Sequence, residues 1–289
     1  MKEVEHRFGG PWTEIKLKVL RDYLNFYTQA LKKQPFRLLY IDAFAGTGDR
    51  TVSGEQPGLF VSQRRLRGSA QIALELNRPF NRYIFIERHL RRFHVLEALR
   101  QQYSQYQIEC LRGEANRELQ TLCARIDWHQ YRAVLFLDPY GLSVEWSTLQ
   151  LIARTQAIDL WYLFSLSGLY RQTAHDFERV NPAGAVRLDN VLGTPAWREA
   201  FYAQTAPSQD DFFGDPKPAS IRRHADVDAI EEFVGDRLRA AGFAKVAKPL
   251  RLTLHGGAPL YSLFFCVSNP RAITLSMHAA NHVLKAARR

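Results

Sequence analysis

The chain has 289 residues, enough for one large domain or two small ones, and at this length folding buries about three quarters of the unfolded chain's surface. Its 46% apolar and 24% charged residues are typical of a globular protein and exclude wholesale disorder. The 39 Lys and Arg residues against 29 Asp and Glu residues give a net charge of +10, which favours a polyanionic partner. No apolar run approaches the ~20 residues that cross a bilayer. Residues 1–10 carry no signal-peptide pattern, so we expect a cytoplasmic protein without a membrane partner.

The three cysteines are too few and too scattered in the sequence to form a disulfide framework. Cys110, Cys123 and Cys266 are an odd number without C-x-x-C spacing, and the histidines have no metal-site spacing either. We therefore predict neither a set of disulfides nor a bound metal.

The first predicted element is a helix over residues 12–31, where apolar side chains recur at helical spacing and Thr13 suits an N-cap. Apolar strands follow at residues 36–42, 83–86, 107–111, 133–137 and 160–164. Helix-sized segments lie between them at residues 68–77, 89–102, 116–126 and 147–156. Continuous apolar strands that alternate with helices are typical of a parallel sheet covered on both faces, so we predict a doubly wound sheet.

The last part of the chain has a different pattern. A helix over residues 226–241 precedes strands at 248–254 and 260–268, and the Gly-Gly turn between these strands predicts an antiparallel hairpin. A nicotinamide-type Rossmann fold would continue with parallel strands, whereas this order is that of class I methyltransferases. We therefore predict an α/β fold with a Rossmann-like class I methyltransferase sheet, mostly parallel, with an antiparallel C-terminal hairpin strand.

The same pattern predicts the domain organisation. Residues 1–289 form one domain, with residues 1–35 as an N-terminal helical extension. Residues 171–225 fit no strand–helix alternation and are rich in Gly, Pro and Asp. We expect them to be an insertion that serves as a lid or a substrate-recognition segment.

Ligands of such sheets bind beyond the carboxyl ends of the strands, so the residues that follow each strand are the candidates. The first strand ends in a turn that contains Asp42, Ala43, Phe44, Gly46 and Gly48. Glycines in this place let the backbone approach a ligand, and the acid opens the turn with a carboxylate. We predict a cofactor site here; the alternative is a tight turn that binds nothing.

The next two strands also end in acids. Glu87, followed by Arg88, is placed to accept the ribose hydroxyls of an adenosine cofactor, although a solvated carboxylate at a helix N-terminus is the alternative. Gly113, Glu114 and Ala115 follow the third strand and offer an amide and a carboxylate to an adenine edge. The neighbouring Asn116 is either part of this site or the N-cap of the next helix.

The fourth strand ends in the sequence Asp138-Pro139-Tyr140-Gly141. Pro139 stiffens the backbone, and Tyr140 offers a ring face on which a planar base can stack. Asp138 is placed to accept a hydrogen bond from an exocyclic amine during attack on a methyl sulfonium. We predict that these four residues form the catalytic segment; the alternative is a turn whose tyrosine only packs.

Two arginine groups are candidates for phosphate contacts. Arg64, Arg65 and Arg67 precede a predicted helix, and Arg222 with Arg223 closes the insertion. We predict that they bind nucleic acid, the alternative being a solvated charged face.

Four segments carry a resemblance to a known family: Trp12-Thr13-Glu14-Ile15-Lys16-Leu17, Tyr40-Ile41-Asp42-Ala43-Phe44-Ala45-Gly46-Thr47-Gly48, Gly68-Ser69-Ala70 and Phe136-Leu137-Asp138-Pro139-Tyr140-Gly141. With them the chain resembles the three-Cys-motif partner proteins (TcmP) over nearly its whole length. The resemblance implies a class I methyltransferase with S-adenosylmethionine as cofactor. It also implies a partner with a three-cysteine motif, similar to radical-SAM enzymes, to which the three cysteines belong.

The substrate is left open between DNA and RNA. DNA amino-methyltransferases carry Asp-Pro-Pro-Tyr or Asn-Pro-Pro-Tyr, with one proline more than this chain, whereas tRNA guanine dimethyltransferases carry a closer motif. We predict a methyltransferase that acts on an exocyclic amine of a nucleic-acid base. The alternatives are a recruiter of the three-cysteine partner and a metal-dependent nuclease that uses Asp42, Glu87 and Asp138.

Overall fold

The computed structural model describes residues 11–45, 68–205, 220–253 and 257–288. The helices within these ranges are α1 (Pro11–Ala30), α2 (Ser69–Leu74), α3 (Leu90–Gln102), α4 (Ala115–Arg125), α5 (Trp146–Arg154), α6 (Leu166–Gln172), α7 (Pro182–Leu192), α8 (Trp197–Phe201), α9 (Val227–Ala240) and α10 (Ile273–Ala287). The strands are β1 (Arg37–Asp42), β2 (Arg82–Ile86), β3 (Ile108–Leu111), β4 (Tyr131–Leu137), β5 (Ile158–Ser165), β6 (Tyr202–Thr205), β7 (Ser220–Arg223), β8 (Lys245–Val246), β9 (Leu250–Thr253) and β10 (Pro259–Val267).

One sheet organises the molecule, with the strand order β3-β2-β1-β4-β5-β10-β8 and β9 paired to β10. The first five strands in this order are parallel. In contrast, β10 runs antiparallel to β5, so that Val267 lies opposite Asp159 and Tyr261 opposite Ser165. The predicted fold class is confirmed: the sheet is that of a Rossmann-like class I methyltransferase, and the C-terminal hairpin β9–β10 supplies the antiparallel strand.

The pleat of β1 divides its side chains between two cores. Leu39 and Ile41 pack with α4, α5 and α9 on one face, whereas Leu38 and Tyr40 pack with α1, α2 and α10 on the other. Both faces of the parallel strands are therefore covered by helices, which explains why these strands are continuously apolar in sequence.

The predicted first helix is confirmed as α1, but the N-cap assigned to it is wrong. The helix begins at Pro11, which suits a first turn because it lacks an N–H that would need a partner. Thr13 therefore lies inside the helix, and its buried hydroxyl bonds to no described residue.

A buried polar link joins α1 and α10 to the sheet. Asp159 of β5 accepts hydrogen bonds from the hydroxyls of Tyr23, at 2.6 Å, and Ser276, at 2.8 Å. Burial raises the pKa of Asp159 to about 6, although the two hydrogen bonds act in the opposite direction. α1 and α10 are thus held to the same side of β5 by one carboxyl group.

Residues 171–225 contain structure that the sequence pattern did not indicate. The helices α7 and α8 and the antiparallel strands β6 and β7 lie here, and residues 206–219 between these two strands lie outside the described ranges. Whether the segment acts as a lid or in substrate recognition stays a prediction. No helix within the described ranges is long and apolar enough to cross a membrane.

Candidate active site at the carboxyl ends of the strands

The strand order places the acids that follow β1, β2, β3 and β4 at one edge of the sheet. The chain runs from β1 to β2 and β3 on one side and then returns to β4 and β5 on the other, so the switch point lies between β1 and β4. Ligands of open α/β sheets bind at this point. Asp42 and Asp138, which end β1 and follow β4, flank the switch point.

Asp42 is fully buried, and only one of its oxygens accepts a hydrogen bond from a described residue. Its Oδ1 accepts a hydrogen bond from the amide of Phe44 at 3.3 Å, whereas its buried Oδ2 bonds to no described residue. Burial raises the pKa of Asp42 to about 7; the nearby hydroxyl of Ser69 acts against this rise, and the charge of Asp138 adds to it. Buried polar atoms are normally paired, so Oδ2 is an acceptor left for a water or a ligand.

The turn after Asp42 is held by backbone hydrogen bonds. The amide of Ala43 donates to Phe136 at 3.2 Å and that of Ala45 to Ile86 at 3.0 Å, which ties the turn to β4 and β2. Gly46 and Gly48 lie outside the described residues, so their predicted contact with a cofactor stays a prediction.

Asp138 is held by a lysine from α1. Nζ of Lys16 donates to Oδ2 of Asp138 in a salt bridge in which the lysine side chain is 7% and the aspartate side chain 28% exposed. The same ammonium lies 4.9 Å from the ring centroid of Trp12, a favourable cation–π distance. Among the described residues, one oxygen of Asp138 is thus fixed by Lys16 and no residue donates to the other, Oδ1.

Lys16 was not among the predicted site residues, although the sequence contains a signal. It lies four residues after Trp12 and four before Leu20, within the apolar stripe of α1. A lysine in such a stripe must find a partner or leave its charge buried, because burying an unpaired ion is costly. The structure thus connects the first and the last of the segments that carry the family resemblance.

Glu87 is paired with an arginine that also reaches the catalytic segment. Its carboxylate accepts from the amide of His89 at 2.6 Å and from Nε of Arg92 at 2.8 Å. Arg92 in turn donates to the hydroxyl of Tyr140 at 3.0 Å. Glu87 and Tyr140 follow strands on opposite sides of β1, so Arg92 links the two sides of the switch point.

The hydrogen bonds of Arg92 affect both the predicted base contact of Tyr140 and the predicted ribose contact of Glu87. Tyr140 is 70% exposed, as a ring that receives a base must be, and its hydroxyl is engaged by Arg92. The carboxylate of Glu87 has about four acceptor positions, of which its hydrogen bonds to Arg92 and His89 use most. A ribose at Glu87 therefore competes with Arg92.

The third strand's acid has a structural role. Glu114 caps α4 by accepting from the amide of Arg117 at 3.0 Å, which makes the alternative assignment of Asn116 as N-cap wrong. Gly113 lies where a Cβ would meet Oε1 of Glu118 at 2.2 Å. The predicted contacts of Gly113, Glu114 and Ala115 with an adenine stay predictions.

Asn116 instead shapes the loop that follows β4, which contains the predicted catalytic segment. Its Nδ2 donates to the carbonyl of Ser143 and its Oδ1 accepts from the amide of Glu145, both at 2.9 Å. Gly141 supports the same loop, because its φ of 66° lies in the left-handed region that side chains disfavour. Pro139 is buried beneath it.

The predicted phosphate-binding arginines fall into three groups. Arg64, Arg65 and Arg67 lie outside the described residues. Arg223 is used within the fold, since it donates to the carbonyl of Thr173 and lies over the ring of Tyr170. Arg222 is half-exposed and lies 3.5 Å from Asp176. Arg88 is exposed and makes no hydrogen bond or ion pair to a described residue. The cofactor role of Arg88 and the nucleic-acid role of the other arginines stay predictions.

A metal site is not formed by the acids at the strand ends. Within the described ranges, no three His, Cys, Asp or Glu side chains converge as metal ligands. Asp42, Glu87 and Asp138 lie in these ranges, so they do not form the site that a metal-dependent nuclease would need.

Comparison with known proteins relates the chain to others through its fold. No family model matches it, and no curated protein matches its sequence. It is similar to the Legionella pneumophila protein LPL1258 of the family DUF519, with 12% identity and a TM-score of 0.50 over 94% of this chain and 92% of that one.

Two further matches have lower scores. An S-adenosylmethionine-dependent methyltransferase from Clostridium acetobutylicum has 9% identity and a TM-score of 0.37 over 86% of this chain and 92% of that one. The N-terminal domain of EvdMO1 with SAH bound has 10% identity and a TM-score of 0.38 over 86% and 80%. At such identities a likeness concerns the fold alone, and the strand order is the stronger evidence for that fold.

Proposed function

We propose that the protein is an S-adenosylmethionine-dependent methyltransferase that acts on an exocyclic amine of a nucleic-acid base. The observation that carries this proposal is the state of Asp138 at the switch point. Lys16 fixes one of its oxygens, and the other bonds to no described residue while the side chain stays partly exposed. Such a carboxylate is oriented before the substrate arrives, which is the condition for catalysis by positioning.

The acids at the ends of β1 and β2 fit an adenosine-containing cofactor. Oδ2 of Asp42 is a buried acceptor without a described partner, and Glu87 presents a carboxylate that is 5% exposed at the neighbouring strand end. When bound, S-adenosylmethionine supplies an electrophilic methyl group on a sulfonium sulfur. Glu87 would hold the ribose hydroxyls in exchange for part of its contact with Arg92.

On the substrate side, the chain's residues orient the amine. Oδ1 of Asp138 accepts an N–H of that amine and so directs its lone pair, and the carboxylate stabilises the positive charge that develops on the nitrogen. The exposed ring of Tyr140, two residues on, is the surface for the base. The net charge of +10 supports a nucleic acid as the source of that base.

Membership of the TcmP family is part of the same proposal. It is supported by the salt bridge between Lys16 and Asp138, because the two family-like segments to which they belong meet at the site. The proposal of a partner with a three-cysteine motif rests on that family membership alone.

A methyl-transfer assay tests the proposal. The protein is incubated with radiolabelled S-adenosylmethionine and with DNA or RNA from a host that lacks the gene, so that the target base is unmethylated. We expect label in one nucleic acid with the wild type and none with Asp138→Ala, whose cofactor affinity should stay within a few-fold because Asp138 faces the amine.

Asp236→Ala serves as the control, since Asp236 is 63% exposed on α9 and, among the described residues, pairs only with Arg239 of the same helix. It should transfer label like the wild type. If the cofactor binds and no label reaches either nucleic acid, the protein is a recruiter with a methyltransferase fold. If Asp138→Ala still transfers label, the assigned catalytic residue is wrong.

A further inference from the structure

A cavity of about 380 Å³ opens beside the loop that follows β4. Its wall includes Tyr140, Ser143 and Gly168, together with Arg171 and Gln172 of α6 and Arg187 of α7. Tyr140 and Ser143 follow β4, and α6 follows β5, so the cavity lies at the carboxyl ends of these two neighbouring strands. Tyr140 thus accepts a hydrogen bond from Arg92, on the β2 side, and also lines the cavity, on the β5 side.

The cavity carries two positive charges that the described part of the chain does not neutralise. Arg171 and Arg187 are exposed, and neither makes an ion pair or hydrogen bond to a described residue. Other arginines nearby are engaged, since Arg179 and Arg222 both lie close to Asp176. Among the described residues no acidic side chain lines the cavity, so the charges that line it favour an anion.

The two helices that carry these arginines are closely packed. Gly184 of α7 leaves room for the side chain of Gln172, because a Cβ there would lie 2.4 Å from the Oε1 of Gln172. Earlier in α6, a Cβ on Gly168 would meet Oγ of Ser165 at 2.8 Å and Cγ of Leu142, in the loop after β4, at 3.4 Å. The cavity is therefore bounded by well-packed elements.

We infer that this cavity binds a phosphate group of the nucleic acid whose base lies on Tyr140, an inference that rests on the proposed function for the identity of the base. Guanidinium groups present planar forks of donors that match phosphate oxygens. The cavity volume of about 380 Å³ lies near the lower end of the range for ligand sites. A cavity of this size can hold about one nucleotide. Arg171 and Arg187 hold the phosphate, and Tyr140 receives the base that belongs to it.

The test measures binding of fluorescein-labelled single-stranded 12-nucleotide DNA and RNA by anisotropy over a range of salt concentrations. We expect the double variant Arg171→Glu/Arg187→Glu to lose at least about tenfold in affinity. Its log–log salt dependence should also flatten by about 0.7, since the loss of one phosphate contact removes about 0.7 from the slope for a single strand.

The matched control is Lys33→Glu/Arg78→Glu. Both residues are exposed and precede β1 and β2, at the opposite edge of the sheet, and the change in net charge is the same. This control should lose less than threefold. The variant Arg171→Gln/Arg187→Gln, checked for an unchanged Tm, should reproduce the loss without charge reversal.

Competition identifies the source of the phosphate. Displacement by nucleoside 5′-monophosphates, but not by nucleosides, indicates that one nucleotide occupies the cavity, and displacement by oligonucleotides alone indicates a strand. The inference is overturned if no phosphate-bearing probe binds the wild type, or if the glutamate variant and its control weaken equally. Calorimetry of the wild type with S-adenosylmethionine separates this inference from the proposed function. If the wild type does not bind S-adenosylmethionine, the methyltransferase proposal is refuted. Phosphate binding that depends on Arg171 and Arg187 is measured separately and can hold in either case.

Discussion

Replacing Lys16 with methionine tests how strongly the N-terminal helix α1 holds Asp138 in the loop after β4. The substitution keeps an unbranched side chain in the apolar stripe of α1 and removes only the ammonium. Breaking a fully buried ion pair costs about 3–5 kcal/mol, because the remaining charge stays uncompensated. The Asp138 side chain is 28% exposed and keeps part of its hydration, so we expect Lys16→Met to lower the free energy of unfolding by about 1–3 kcal/mol.

Urea unfolding measures this loss directly, and a fall in Tm of about 2 °C per kcal/mol should accompany it. The control is Lys18→Met on the same helix, because Lys18 pairs with Asp22 at 2.7 Å with side chains 64% and 40% exposed. An exposed pair of this kind is worth about 0.3–0.5 kcal/mol. The double variant Lys16→Met/Asp138→Asn should recover most of the loss, since it removes the uncompensated charge.

The reasoning would be refuted if Lys16→Met were no less stable than Lys18→Met. It would also be refuted if the double variant lost the sum of the two single losses, because the ammonium and the carboxylate would then act independently.

Two further predictions concern the other carboxylates. Arg92→Ala should tighten S-adenosylmethionine binding by up to about tenfold in calorimetry, because the ribose no longer competes for Glu87; unchanged or weaker binding would show that Arg92 does not compete. Raised pKa values of about 7 for Asp42 and about 6 for Asp159 mean that the native state binds protons more tightly than the unfolded state, so stability should fall as pH rises from about 4 through those values. In urea unfolding, Asp159→Asn should reduce the loss of unfolding free energy between pH 4 and 6 by roughly 2–3 kcal/mol. The control Asp127→Asn, at an exposed aspartate, should leave this loss unchanged. If both variants show the same pH profile, the raised pKa of Asp159 is contradicted.

The sheet could be predicted from the sequence because buried strands of a doubly wound fold are continuously apolar. The segment from Tyr131 to Leu137 shows this, since nearly all of its side chains are buried. The antiparallel end of the sheet was signalled by the Gly-Gly turn between β9 and β10. The remaining elements lacked such signals. α7 leaves Val186 exposed and β7 leaves Ile221 exposed, so apolar residues do not mark the buried face there, and tertiary contacts determine these elements.

The site could be predicted where a residue's place along a strand determines its place in the fold. Asp42, Glu87 and Asp138 follow this rule, and they lie at one edge of the sheet. Their partners could not be predicted in the same way. Lys16 is 122 residues from Asp138 in sequence, and Arg92 is 48 from Tyr140, so both contacts depend on how helices pack against the strand ends.

The most direct test of the account is whether the protein binds S-adenosylmethionine at the acids of the strand ends. Native mass spectrometry of the purified protein and calorimetry measure this before any substrate is known. We expect one molecule bound per chain, and Glu87→Ala should weaken binding by about 1–3 kcal/mol because a charged acceptor is lost. Glu97→Ala, which removes a carboxylate paired with Arg100 on α3, should not. A folded wild-type protein that binds no S-adenosylmethionine, or equal affinity in Glu87→Ala and the wild type, would contradict the account.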